Sequence, residues 1–205
     1  MGTLGTPRLL LASQSPRRRD ILNTLGLPFD TQAVDADETE LPGEGAEAYL
    51  VRVVAAKLEL AIPVAMRWAA TGVVVADTTV VLDGQMLAKP LDEADNRRMV
   101  RSLAGRSHEV MTRFAVADLV GGRGTVANTV VTRVHVRALS DEQIERYVAS
   151  GEGRDKAGGY AIQGLGSFAV SGIEGSYANV VGLPAAELVE ALLQLEIFAA
   201  FPLPP

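Results

Sequence analysis

An α/β fold is what this sequence predicts, on three observations. Short unbroken apolar runs are sized for buried strands. Helical apolar stripes alternate with those runs. The first unit places strand, polar loop and helix in immediate succession. The length of 205 residues suits one domain, or two lobes sharing one sheet, and no repeat or linker divides it.

Leu9 to Ala12 form the first strand and Ser13 to Ser15 a polar loop. A helix follows, with Ser15 as N-cap, Pro16 at the first helical position, Ile21, Leu22 and Leu25 as its inward stripe and Gly26 as its stop. A second helix is expected from about Glu44 to Ala61 on Leu50, Val53, Val54, Leu58 and Ala61, with Lys57 on the same face. Val73 to Ala76 read as a buried strand. Asp77-Thr78-Thr79 interrupt it, and Val80 to Leu82 resume before an Asp83-Gly84 hairpin turn.

Asp92 caps a helix carrying Met99, Val100 and Leu103, which Gly105 closes. Two long strands, Glu109 to Asp118 and Asn128 to Ala138, flank the turn-forming Gly121-Gly122-Arg123-Gly124. Ser140 and Gln143 make a capping box for a helix bearing Ile144, Tyr147 and Val148, stopped near Gly151. The glycine-dense stretch Gly151 to Gly166 reads as a shaped loop. A strand follows at about Ser167 to Ile173. The last helix spans about Pro184 to Leu195 on Leu188, Val189 and Leu192, and the end at Pro202 to Pro205 is expected to fray.

Composition narrows the function. Hydrophobic residues make up 48% and charged ones 21%, which fits a globular protein rather than disorder. With no cysteine, disulfides, thiolate zinc sites and cysteine nucleophiles are excluded, and a reducing, cytoplasmic home is the default. The net charge of -6 argues against nucleic acid or an anionic membrane as a partner, so an anionic ligand must be gripped locally. The apolar run at Leu9 to Ala12 is too short for a signal-peptide core, and no run is long enough to span a membrane.

One local grip is visible. A helix N-terminus favours acidic residues, yet this helix opens with Arg17, Arg18 and Arg19 beside the hydroxyls of Ser13 and Ser15, an arrangement that a phosphate would turn into a site. The same run reads equally as solvated surface charge, and no P-loop glycine pattern accompanies it. Asp77 inside an apolar run must be bonded, metal-bound or raised in pKa, or else it is a turn-initiating residue. Lys57, Lys89 and Lys156 are basic groups that either snorkel to water or meet a ligand. His108 and His135 look isolated and structural. Any metal is therefore a hard ion, Mg²⁺ or Mn²⁺, held by carboxylates and substrate phosphates, and Glu38 in the acidic stretch Asp35 to Glu40 is one candidate ligand.

In combination and order, five blocks resemble the Maf family over nearly the whole chain. They are Leu11-Ala12-Ser13-Gln14-Ser15-Pro16-Arg17-Arg18; Ala76-Asp77-Thr78-Thr79-Val80-Val81; Lys89-Pro90; Lys156-Ala157-Gly158-Gly159-Tyr160-Ala161-Ile162-Gln163-Gly164; and Gly175-Ser176-Tyr177 with Val180-Val181-Gly182-Leu183-Pro184. Ala88 before Lys89 departs from the pattern, which loosens the placement of Lys89. The resemblance implies an elongated mixed sheet with flanking helices, two lobes around a deep cleft, and hydrolysis of a nucleoside triphosphate to monophosphate and pyrophosphate with a divalent cation. It implies Asp77 as proton acceptor and Ser13, Ser15, Arg17, Arg18, Lys57, Lys89 and Lys156 as phosphate-facing groups. Glu38 and Asp77 fall near the metal.

Asp77-Thr78 and Ile162-Gln163-Gly164 are similar to the branch acting on dTTP and UTP, with Arg17, Thr78 and Gln163 at its specificity positions. The sister branch preferring 7-methyl-GTP ranks second. A nucleotide-binding regulator of septum formation is the reading from another class. A homodimer is a further implication of the resemblance alone.

Overall fold

The computed structural model describes residues 8–203. Its strands are β1 (Leu9–Leu11), β2 (Phe29–Thr31), β3 (Gly72–Leu82), β4 (Gln85–Leu87), β5 (Ser107–Asp118), β6 (Thr125–Val136) and β7 (Val170–Glu174). Its helices are α1 (Pro16–Thr24), α2 (Ala46–Arg67), α3 (Glu93–Leu103), α4 (Asp141–Ala149), α5 (Tyr177–Val181) and α6 (Ala185–Gln194). All seven strands form one mixed sheet in the order β2-β1-β3-β5-β6-β7, with β4 also on β3. β1 lies parallel to β2 and β3, and the remaining pairs are antiparallel.

The arrangement that positions the site lies on β3. Along one edge it pairs with β5 from Gly72 to Val81. Its other edge is shared, with β1 beside Gly72 to Val74 and β4 beside Val80 to Leu82. Between those partners the sheet forks, and Asp77 stands in the fork.

Period-two alternation assigns the faces. Val73 and Val75, with Leu10, Ala115 and Ala117, pack on Val54, Ala61 and Ala65 of α2, so Asp77 shares the α2 face. Val74 and Ala76, with Leu9, Leu11 and Phe114, pack on Leu22 of α1 and Leu188 and Leu192 of α6, the face shared by Thr78. At the far half of the sheet a third cluster joins Val80, Val110 and Val134 to Val100 and Leu103 of α3 and Ile144 and Val148 of α4.

Several elements differ from the sequence expectation. Asp77-Thr78-Thr79 do not interrupt β3, because Arg113, Thr112 and Met111 of β5 continue the ladder beside them and threonine suits a strand. α2 begins at Ala46 and runs past Pro63 to Arg67. Pro63 is exposed, so the helix bond it removes lies on the solvent side, while Ala61 and Ala65 continue the buried stripe. The glycine-dense loop contains 3-10 turns at Ala157–Gly159 and Gly164–Ala169, and the strand after it starts at Val170. β6 starts earlier than expected, at Thr125, and ends at Val136. Near the C-terminus Phe201 and Leu203 pack against the α1/α6 cluster, so apolar burial holds the chain that far. Pro204 and Pro205 lie outside the described residues.

Candidate active site

α1 starts directly beyond β1 and points its N-terminus into the fork. Ser15 occupies the N-cap position, but its side chain makes no capping bond. Instead the Ser15 N–H donates to Ser13 Oγ at 3.2 Å, so the expected N-cap position holds without a side-chain capping bond. Ser13 Oγ also accepts from Arg18 Nη1 at 3.2 Å. Both of its lone pairs are then filled, so its O–H is left to donate into the cleft.

The three arginines have different fates. Arg19 is exposed and Arg17 lines the cleft, whereas Arg18 is 9% exposed and built into the fork. Arg18 donates from Nε to Gly182 O at 2.8 Å, from Nη1 to Ala76 O at 2.9 Å and from Nη2 to Thr78 Oγ1 at 3.1 Å. With Ser13, that engages four of its five N–H groups. Burial lowers its pKa from the ordinary arginine value, with Asp77 opposing, Arg17 adding to the fall and Glu38 opposing.

Thr78 continues a directed chain. Thr112 Oγ1 donates to Asn179 O at 3.0 Å, so its single hydrogen is spent there. In the 2.9 Å contact between Thr78 and Thr112 the donor is therefore Thr78. Hydrogen bonds run from Arg18 through Thr78 and Thr112 to the backbone of Asn179. Asn179, fully buried, also donates from Nδ2 to Val110 O and Thr132 Oγ1, tying α5 to β5 and β6. Sequence reasoning missed Thr112 and Asn179. Their signal was polarity at strand and helix positions facing an apolar interior.

On the opposite face Lys57 does not snorkel to water. It is 6% exposed, and its ammonium donates to Asp77 Oδ1 at 2.7 Å and pairs with Glu38 Oε1 at 2.6 Å. Asp77 itself is 8% exposed. Desolvation pushes Glu38 up, but the hydrogen bond and charge of Lys57, then the charges of Lys89 and Arg18, outweigh it and hold Glu38 below the usual glutamate range. Burial, with Asp77 and Glu38 adding to it, raises the Tyr49 hydroxyl and keeps it protonated.

The opposite wall comes from the loop after α4. Lys156 donates to Glu152 O and Asp155 Oδ1, both at 2.6 Å. Gly158 N–H donates to Ala88 O at 3.2 Å, which brings the Lys89 segment beside this loop. Lys89 and Gln163 are exposed. Every residue that the resemblance places at the site, Ser13, Ser15, Arg17, Arg18, Glu38, Lys57, Asp77, Thr78, Lys89, Lys156 and Gln163, lines one cleft of about 770 Å³.

Neither histidine joins it. His135 meets Ser107 and Glu174 at the surface, and buried His108 bonds Tyr160 through Nε2 at 2.7 Å. Among the described residues no group of three or more Asp, Glu or His side chains is gathered to hold a metal. No helix among them is long and apolar enough to cross a membrane.

A forked sheet with a buried carboxylate in the fork, a helix N-terminus beside it and basic side chains around it defines an α/β protein equipped for a polyphosphate ligand. The chain belongs to the Maf family: the family description "Maf-like protein" matches residues 8–195. A dTTP/UTP pyrophosphatase of Anaeromyxobacter dehalogenans (strain 2CP-C) is 47% identical over 199 residues, covering 97% of each chain. A dTTP/UTP pyrophosphatase of Geotalea uraniireducens (strain Rf4) is 46% identical over 187 residues, 91% of this chain and 94% of that relative. Among solved structures, the Staphylococcus aureus Ham1 protein is similar over 91% of this chain and 90% of its own, at 13% identity and a TM-score of 0.44.

Proposed function

We propose that this chain is a nucleoside triphosphate pyrophosphatase that hydrolyses dTTP and UTP to the monophosphate and pyrophosphate. The observation that carries it is Asp77, nearly buried in the sheet fork and facing a cleft that Arg17, Arg18, Lys57, Lys89 and Lys156 also line. Relatives 46 to 47% identical along almost their full length, named dTTP/UTP pyrophosphatases, support the choice of substrate.

In this reading Asp77 accepts a proton from water as the water oxygen bonds the α-phosphorus and the bond to the β-phosphate bridging oxygen breaks. Lys57 holds Oδ1 of Asp77 and fixes its orientation. Arg17, Lys89 and Lys156, with the Ser13 hydroxyl and the start of α1, hold the phosphates and take up the charge that develops on the departing pyrophosphate. Glu38 and Asp77 are hard oxygen donors that converge on a single ammonium, and this donor set suits Mg²⁺ or Mn²⁺ completed by phosphate and water. When bound, such an ion neutralises phosphate charge. Gln163 and Arg17 discriminate the substrate. Thr78 takes part as an acceptor, since its hydrogen is committed to Thr112.

The test is pyrophosphate release from a panel of triphosphates in Mg²⁺ or Mn²⁺. Preference for dTTP and UTP is expected. Equal turnover of all bases would remove the specificity reading, and no turnover of any triphosphate would remove the enzymatic one.

A further inference from the structure

The loop that carries both Lys156 and Gln163 is pinned at successive points. Asn96 Nδ2 donates to Gly159 O at 2.7 Å, Tyr160 bonds His108, and Ala161 N–H donates to the Tyr147 hydroxyl at 3.1 Å. Beyond Ala161 come Ile162, Gln163 and Gly164. The next fixed points are the N–H groups of Leu165 and Gly166, which donate to Oε1 and Oε2 of Glu152, each at 2.7 Å. One carboxylate thus takes two successive backbone donors at the start of the 3-10 turn that follows Gln163, a charge-assisted clamp in which each oxygen is matched to one N–H. The fit is close: Gly164 has φ +70°, and a Cβ there would collide with Glu152 Oε1.

The same residue serves the other end of the loop, because its backbone carbonyl accepts from the Lys156 ammonium at 2.6 Å. Burial raises the neighbouring Tyr147 hydroxyl, against the pull of the Ala161 N–H and with the Glu152 carboxylate adding to the rise. Tyr147 therefore stays protonated beside the carboxylate.

Resting on the substrate reading above, we propose that Glu152 is a positioning residue for base selection: its carboxylate sets where Gln163 stands, while its carbonyl holds Lys156 on the phosphate side of the same loop. Glu152 lies outside the cleft lining. Its effect reaches the substrate through Gln163.

A double-mutant cycle on discrimination tests this, with kcat/KM for dTTP and dCTP measured in wild type, Glu152→Gln, Gln163→Ala and the double variant. The Glu152→Gln amide presents an N–H₂ to one of the two backbone donors, so the clamp is broken while volume is kept. The expected result is a fall in dTTP-over-dCTP preference on the order of tenfold, carried mainly by KM, because a reader displaced by a fraction of an ångström loses its alignment. In the Gln163→Ala background the same substitution should leave the ratio unchanged. Should Glu152→Gln fail to fold, Gly164→Ala, which displaces the carboxylate locally, is read in the same cycle. An unchanged ratio in the Glu152 or Gly164 variant overturns the inference, as does a loss of equal size in the Gln163→Ala background. A wild type without dTTP preference overturns the substrate reading and this inference together.

Discussion

Replacing Arg18 by Lys keeps the positive charge and removes the fork. The guanidinium spans two carbonyls, Gly182 O from Nε and Ala76 O from Nη1, besides the hydroxyls of Ser13 and Thr78. An ammonium donates from one point and cannot reach all four, so at least one carbonyl loses its partner. An unpaired buried polar group costs about 1–3 kcal/mol, so Arg18→Lys is expected to destabilise the fold by about 2 kcal/mol, or by more if both carbonyls are lost. For a chain of this size that lowers Tm by about 4–8 °C. Because Ser13 also loses a donor that orients its hydroxyl, KM for the triphosphate should rise. Urea unfolding, a thermal scan and steady-state kinetics measure all three. A variant whose Tm falls by less than about 1 °C with unchanged KM would refute the role given to the fork.

Two other perturbations separate structure from chemistry. Thr112→Val keeps shape but deprives Asn179 O of its donor and Thr78 of its acceptor, at a cost of about 1–3 kcal/mol in urea unfolding. Thr112→Ser should recover most of that loss, and equal stability of the Val and Ser variants would contradict the directed chain. Burial, aided by His135, lowers the His108 pKa from 6.5 to about 4. Its folded form stays neutral where the unfolded form is protonated, so stability contributed above pH 6.5 is lost as pH falls toward 4, by about 3 kcal/mol from this group. His108→Gln should flatten that part of the stability curve, and an identical slope in both proteins would count against it.

The site was more legible than the elements that build it. Asp77 and the three lysines could be named because charge inside apolar runs and at loop positions is conspicuous, and Ser13 because its hydroxyl sits beside an arginine-rich helix start, whereas Gln163 followed only from the resemblance to the Maf family; all of them line the cleft. Which arginine turns inward was not resolved, although Arg18 lies four residues before buried Leu22 and so on its face of α1. β2, β4 and α5 are too short to show a period. The unbroken passage of β3 through Asp77 was hidden because the ladder supplied by β5 outweighs the turn preference of Asp-Thr-Thr. The pairing of Lys57 with both Glu38 and Asp77 depends on α2 crossing the sheet at the fork, which no local pattern encodes.

The central claim is that Asp77 is the base. The measurement that tests it most directly is pyrophosphate release from saturating dTTP by Asp77→Asn beside wild type, with nucleotide binding followed in parallel. The amide keeps the shape of the fork but cannot accept the proton, so turnover should fall by about 10²–10⁴-fold while dTTP still binds. Release within about twofold of wild type, against that 10²–10⁴-fold expectation, would contradict the account.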